Sequence, residues 1–563
     1  MLKKNLKKRL KTAGIIAAIA IVPGLFVFKT ADNYFEISQN LQIMASVVQD
    51  VNMYYVDQVD PAKLLHTGID AMLRSLDPYT NFYSEDEIED YRFMTTGQYG
   101  GVGATIGKKG DYVEILEPYK GWPAQKADLR AGDIILQIDG KDVKGKSTDD
   151  ISKLLKGSAN SDIKLLVQRT GVDKPIEKTI TREEIKVGNV PYYGMINDHI
   201  GYIKFVGFRE NASDDVKKAL TDLEKNHKLE GLVFDLRGNP GGLLDEAIKT
   251  VNIFEDKGQM VVFTKGKIEE SNHQYFTEGE PVDTKIPVVA IVDGGSASAA
   301  EIVTGSLQDL DRAVIVGTNS FGKGLVQTTH PLPYGTQMKI TTSKYYIPSG
   351  RCIQAINYAV KDVDGHGYRL PDSLKHAFKT KDGRTVYDGT GIKPDVPVTE
   401  KKYANVIISL AQKQLMFDYA TIYRSKHDSI PAAKDFRLTE SDWKDFLAFL
   451  KDKDYEYKTE TEENLSKLEK TAKDEKYYAA LESDFKAMDT KLKADKNEDV
   501  NKYKSDIMEL LQEEIASRYY YESGRVEASF NGDADVQEAV HLLQTPAEYH
   551  KLLTETNTSN PGK

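Results

Sequence analysis

Between residues 186 and 400, short apolar runs alternate with longer stretches of helical spacing. The runs at 201–205, 231–235, 288–292 and 313–316 are apolar at nearly every position, which predicts buried strands. Helices are predicted between them over 213–225, 243–254 and 299–310. An alternation of this kind predicts a layered α/β domain.

The pattern changes on both sides. Residues 34–93 read as helical, with one apolar stripe at Ile43, Val47, Val48 and Val51 and a second at Leu64, Leu65, Ile69 and Met72. The turn Ser75-Leu76-Asp77-Pro78-Tyr79-Thr80 interrupts them. Residues 97–171 then read as short strands behind a glycine-rich opening at 97–103. Pro123 begins a short helix, Leu129 to Gly140 reads as turn, strand and tight turn, and Ile151, Leu154 and Leu155 line one face of a helix over 148–155. A closing strand follows at 163–168. After residue 401 the strands stop, and Leu465, Leu468 and Leu481 mark helical spacing. The charged stretch 491–504 fits a solvated helix or a loop. The predicted organisation is therefore 1–30 as an export signal or membrane anchor and 31–96 as a helical region. Next come 97–171 as a strand-rich domain, 172–400 as the layered core, 401–556 as an accessory helical domain and 557–563 as a disordered tail.

Charge refines the two ends. The net charge of −11 argues against nucleic acid as a main partner. Six basic residues nonetheless cluster at the start (Lys3, Lys4, Lys7, Lys8, Arg9, Lys11), directly before an apolar run from Ala13 to Phe28. That order predicts an export signal, and Phe28-Lys29-Thr30-Ala31 is a poor cleavage site, so a retained anchor is expected. With the basic end cytoplasmic, everything after Thr30 is expected outside the cytoplasm. One cysteine, Cys352, leaves no internal disulfide or cysteine zinc cluster. The ten histidines, His366 and His376 among them, lack metal spacing. No metal and no cofactor are expected.

Three stretches carry candidate chemistry. In Gly294-Gly295-Ser296-Ala297-Ser298-Ala299-Ala300-Glu301, Ser298 stands where a strand turns into a helix. Ser298 and Glu301 fit a capping box, and the same placement puts the hydroxyl beside unpaired N–H groups at the positive end of the helix dipole. The Ala299 N–H is then a candidate oxyanion donor. In the second stretch, Gly317 to Gly324, Lys323 lies between two glycines, 25 positions after Ser298. The run matches a phosphate loop until Gly324 stands where Ser or Thr should hold magnesium, and the following residues read as extended. A solvated loop lysine is the other plain reading. A neutral lysine amine is also a competent base for a serine hydroxyl. Third, Asp235-Leu236-Arg237-Gly238-Asn239-Pro240-Gly241-Gly242 joins a strand to a helix, and its glycines let backbone N–H groups point outward.

Together, Ser296 through Ile302, Gln308-Asp309, Phe321-Gly322-Lys323-Gly324 and Gln327 resemble the active-site signature of the carboxyl-terminal processing peptidases, the S41 serine proteases. Leu76 through Thr80, Asp235 through Gly242, and Tyr346 through Gln354 resemble further landmarks of that family. Residues 97–171 are similar to its inserted PDZ domain. The resemblance spans about 40–400 and implies a crotonase-like protease core in a multidomain α/β (α+β) chain. It implies Ser298 as nucleophile, Lys323 as general base and Gln327 as the residue orienting the lysine. Backbone N–H groups of Ala299 and of Gly241 or Gly242 would form the oxyanion hole. One departure is Ala300, where the family commonly has serine; Asp309 is expected to be structural.

A lysine base must be uncharged, against a reference pKa of about 10.4. Lys323 is therefore expected to be largely buried, away from carboxylates and within reach of Ser298. In the PDZ-like segment, Gly101, Val102, Gly103 and Ala104 are expected to form a nest for a terminal carboxylate, with the following strand pairing to the substrate. Arg130 and Arg169 are candidates to relay that binding to the core. The expected function is an envelope-facing serine endopeptidase, on the periplasmic side of the inner membrane, for unfolded or precursor proteins with free C-termini. A non-catalytic PDZ scaffold is the alternative, and the helical tail is compatible with self-assembly or an adaptor.

Overall fold

The structure is a computed structural model that describes residues 34–362, 365, 367–399 and 401–554. The apolar run Ala13–Phe28, His366 and the tail 557–563 lie outside these residues. The chain forms two compact units, one holding the described residues up to Phe82 with Thr329–Ile340, the other Tyr83–Thr328 and the chain from Thr341 onward.

In the first unit, a helix over 34–54 precedes the helix Pro61–Arg74. Asp60 caps the latter, accepting the Ala62 N–H at 2.9 Å, and Pro61 occupies the first helical position. The break after it has a local cause: the Asp77 carboxylate accepts the N–H groups of Tyr79 and Thr80 at 2.8 and 2.9 Å. Of the predicted stripes, Ile43, Val47, Leu64, Leu65 and Met72 are exposed.

The second unit contains the layered core. Its sheet runs Tyr192–Met195, Ile200–Lys204, Gly231–Asp235, Val288–Val292, Ala313–Gly317 and Val396–Pro397. The first pair is antiparallel and the others are parallel. Alternate side chains serve opposite faces. Leu232, Phe234, Val288, Ala290 and Ile315 pack with the helices Ala212–Asn226, Leu244–Phe254 and Ala299–Asp309. Val233, Val289, Ile291, Val314 and Val316 pack with Val526, Phe530, Val536, Leu542 and Tyr549.

That second face adds to the reading of 401–556 as an accessory helical domain, since part of it packs on the core. The helices Ala534–Gln544 and Pro546–Thr554 cover one side of the core sheet, and Tyr549 Oη donates to the Val288 carbonyl at 3.1 Å. The remaining helices, from Asn405–Gln412 to Lys504–Ser529, surround a separate core that includes Tyr419, Trp443, Phe446, Leu511 and Ile515. The charged stretch belongs largely to a helix, Tyr478–Lys502.

The strand-rich segment has its own sheet, in the order Ala104–Lys109, Tyr112–Pro118, Ile134–Ile138, Asp162–Gln168 and Ile176–Thr181. It therefore extends past residue 171 by a strand whose polar alternation hid it, Ile180 being its one buried residue. The strand Gln98–Gly101 pairs with Glu183–Lys186, so the chain enters and leaves this segment side by side. An insertion into the core needs this arrangement of its ends.

Candidate active site

The strand Val288–Val292 ends in a turn held by Asp293, whose Oδ1 accepts the N–H groups of Gly238 and Gly295 at 2.9 Å each. Ser296 Oγ donates to the Leu236 carbonyl at 2.8 Å, and the Ala297 N–H to the Asn239 carbonyl at 2.9 Å. The serine turn and the glycine turn are thus one unit. Ser298 then opens the helix Ala299–Asp309 with φ 55° and ψ −115°, a left-handed backbone that costs a non-glycine residue on the order of 1–3 kcal/mol. Ser298 is half-buried at this helix start.

Gly241 packs directly on this turn. A β-carbon there would lie 2.8 Å from Ala299 N and 2.9 Å from Ser298 Cβ, and its φ is +94°. Only glycine fits. Its own N–H donates to Asn239 Oδ1 at 2.9 Å. Among the described residues, the Ala299 and Gly242 N–H groups donate to no protein acceptor.

One carboxylate joins the serine and lysine segments. Glu301 Oε2 accepts the Ser298 N–H and the Lys323 N–H, both at 2.9 Å. Glu301 Oε1 accepts the Gly322 N–H at 2.7 Å and the Ser320 hydroxyl. Burial pushes the Glu301 carboxyl up to about 7, against the opposing pull of these four donors. The Tyr345 hydroxyl makes a second bridge, lying 2.7 Å from the Lys323 carbonyl and 3.2 Å from that of Ser298. Gln354 accepts the Gly324 N–H at 2.6 Å.

Lys323 itself is half-buried, more open than the sequence predicts, because it precedes a strand, Leu325–Pro331, at the edge of the turn. That strand also disposes of the phosphate loop, which needs a helix there. The Gln327 Nε2 donates to Thr341 Oγ1 at 3.2 Å. Asp309 faces away from this chemistry, 2.9 Å from the fully buried Arg351, whose guanidinium also donates to Gln308 Oε1 at 2.8 Å.

Comparison with known proteins agrees with the geometry. Residues 199–364 match the family model for peptidase family S41, residues 114–169 a PDZ domain, and residues 406–543 the C-terminal helical domain of probable PDZ-proteases. A carboxy-terminal-processing protease of Bartonella bacilliformis is 37% identical over 62% of this chain and 80% of its own length. The chain belongs to the S41 peptidase family. A probable CtpA-like serine protease of Staphylococcus aureus is 33% identical over 70% of this chain and 72% of its own. A solved photosystem II D1 C-terminal processing protease aligns at 27% identity over 62% of this chain and 85% of its own, with a TM-score of 0.35. The protein is a serine peptidase with a PDZ domain.

In this S41 peptidase the Asp235–Arg237 landmark ties the core to its C-terminal helices. Asp235 is fully buried and accepts from Tyr202 Oη at 2.6 Å, Lys204 Nζ at 3.1 Å and Arg237 Nη2 at 2.7 Å. Its two cationic neighbours hold its carboxyl well below the usual range despite burial. Arg237 continues to Asp533 and Asp535, at 2.6 and 2.9 Å.

The glycine-rich opening of the PDZ domain turns the chain into its first sheet strand. Gly101 is paired in register with Glu183, Val102 is buried, and Gly103 turns the chain at φ +75° before the strand that begins at Ala104. A cavity of about 230 Å³ lies alongside, lined by Val102, Ala104, Ile106 and Leu155 of the domain and by Phe93 and Tyr99 from the chain leading into it. Arg130 and Arg169, the candidate relays, face the helical domain instead. They line a cavity with Thr421, Arg424, Arg518 and Tyr521, and Arg169 is held by Asp133 at 2.8 Å. Glu301, Tyr345 and Gln354 are the residues sequence reasoning did not assign to the site. The available signals were the cap position of Glu301, which also lies inside the signature Ser296 through Ile302, and the place of Gln354 in the landmark Tyr346 through Gln354.

Proposed function

We propose that this peptidase cleaves unfolded or precursor proteins, held by their carboxyl end in the PDZ domain, with a Ser298–Lys323 dyad. The observation that carries this reading is the shared Glu301 carboxylate, which takes the backbone N–H of both residues and so sets one against the other. The Lys323 amine, uncharged when a bound peptide completes its burial, takes the proton from Ser298 Oγ as that oxygen attacks the scissile carbonyl. The Ala299 and Gly242 N–H groups receive the oxyanion. Lys323 then passes the proton to the departing amine, and water hydrolyses the acyl-enzyme by the same route. Gln327 orients the lysine. The PDZ loop Gly101–Ala104 takes the terminal carboxylate. We place the enzyme in the cell envelope, on the periplasmic side of the inner membrane, held there by its N-terminal segment.

Purified protein is incubated with an unfolded protein whose carboxyl end is free or blocked. Ser298→Ala and Lys323→Ala each abolish cleavage while circular dichroism stays native, and blocking slows the wild type. Full activity in either variant would sink the dyad. Tail binding without any turnover by the wild type would favour a scaffold.

A further inference from the structure

Between the two sites, Arg209 is a cation that meets no carboxylate among the described residues. Its residue follows Phe208, which bonds the glycine turn on both sides: the Phe208 N–H donates to the Gly241 carbonyl at 3.0 Å, and the Leu243 N–H to the Phe208 carbonyl at 2.7 Å. That is the turn packed on Ser298. In the other direction, the Glu210 N–H donates to the Thr95 carbonyl at 3.0 Å. The Arg209 stem lies over Gly97, where a β-carbon would meet its Cδ at 2.7 Å. Phe93 and Tyr99, which flank Thr95 and Gly97 in the chain, wall the PDZ cavity, as does Tyr119.

The guanidinium is half-desolvated and poorly served. Its Nη1 is buried with no hydrogen-bond partner among the described residues, and no carboxylate pairs with it there. Burial lowers its pKa from the ordinary arginine value, opposed only by Tyr119. Arginine stays charged under such pressure, and its Nε and Nη2, which are not enclosed as Nη1 is, form the edge open to an acceptor from outside the chain. Three other arginines of this unit show the contrast: Arg237, Arg351 and Arg384 each meet an aspartate within 3 Å.

Resting on the peptidase reading above, we propose that Arg209 binds a carboxylate of the substrate chain as it runs from the PDZ groove to Ser298, making it a specificity residue of the catalytic core. A carboxylate offers two acceptors that match the guanidinium fork, and pairing in a partly desolvated site is stronger than at the surface. The carboxylate is either the terminal one, which Arg209 then shares with the PDZ loop, or an Asp or Glu side chain between the terminus and the scissile bond.

The test is peptide binding to the full chain carrying Ser298→Ala, read by fluorescence anisotropy, with and without Arg209→Met. Four unstructured tail peptides share one sequence, with a free or amidated end and with an aspartate or asparagine upstream. Arg209→Met is expected to weaken the fully carboxylated peptide about 10- to 100-fold, the worth of a charge-assisted bond, and Arg209→Lys to recover part of it. If the terminus is the partner, the amidated peptides lose nothing further. If the side chain is, the asparagine peptides lose nothing further. Unchanged binding of all four, equal weakening of all four, or no binding at all overturns the proposal. Arg209→Met with Ser298 intact must still label with a fluorophosphonate, which reports a folded site. Failure of the wild type to cleave would sink the peptidase reading while leaving the binding comparison decisive for Arg209.

Discussion

Two buried carboxylates pin the two turns of the site, and they do so by opposite means. Asp235 anchors the glycine turn and is neutralised by charge: Lys204 and Arg237 both reach it. Glu301 anchors the lysine loop with four neutral donors, three backbone N–H groups and the Ser320 hydroxyl. Equal burial thus leaves one carboxyl far below its ordinary value and the other near 7. Asp235 is built to stay charged. Glu301 is built to hold a shape, and its charge is negotiable near neutral pH.

The largest expected effect breaks the Asp235 side. Asp235→Ala leaves Lys204 and Arg237 facing a desolvated gap and should destabilise the protein by about 3–5 kcal/mol, read by urea unfolding. The folded carboxyl lies below its unfolded value, so its stabilisation is present above about pH 4 and fades as pH falls further. A loss under about 1 kcal/mol would mean that the ion network contributes little.

The contrast also marks what the sequence could disclose. Strands such as Gly231–Asp235 and Val288–Val292 were legible because unbroken apolar runs are local. So was Ser298 at a helix start, from its spacing to Glu301. The clamp was not legible, since Ser320, Gly322 and Lys323 lie 19 to 22 positions from Glu301 and meet it only in the fold. Nor was the second layer of the core, where Tyr549 reaches Val288 across 261 positions. Asp235 and Arg237 were legible as a landmark, but their partner Asp533 is 296 positions away from Arg237. Local periodicity names the elements; long-range polar contacts decide what they are for.

Next in size is Glu301→Gln, which keeps the shape but turns one acceptor into a donor facing N–H groups. It should lower kcat by about 100-fold, with a stability loss of about 1–3 kcal/mol. The pH dependence separates its two roles. Because the folded carboxyl titrates near 7, above its ordinary 4.5, its contribution to stability is complete at low pH and is lost as pH rises through 7. The clamp needs the opposite state, since a neutral carboxyl is the weaker acceptor for Ser298 and Lys323. Between those values activity should therefore rise with pH while this contribution to stability falls. The wild-type kcat profile should show an acid limb near 7 that is absent in Glu301→Gln; an unchanged limb would assign that titration elsewhere.

The smallest effect isolates the second bridge. Tyr345 is buried, and its hydroxyl touches the Ser298 and Lys323 carbonyls from the side opposite in polarity to Glu301: the carboxylate holds their N–H groups, the phenol their C=O groups. One proton serves two acceptors there, and the shorter contact is to Lys323. Tyr345→Phe keeps the ring packed and removes only that proton, so stability should fall by about 1 kcal/mol. If the bridge also sets the distance between the two segments, kcat should fall about 3- to 10-fold with KM unchanged, because the loss lies in alignment and not in substrate contact. A stability loss with kcat intact would leave Glu301 as the side chain that sets Ser298 against Lys323. The lysine loop would then depend for its position on a group that titrates near neutral pH, whereas the glycine turn is anchored by one that does not.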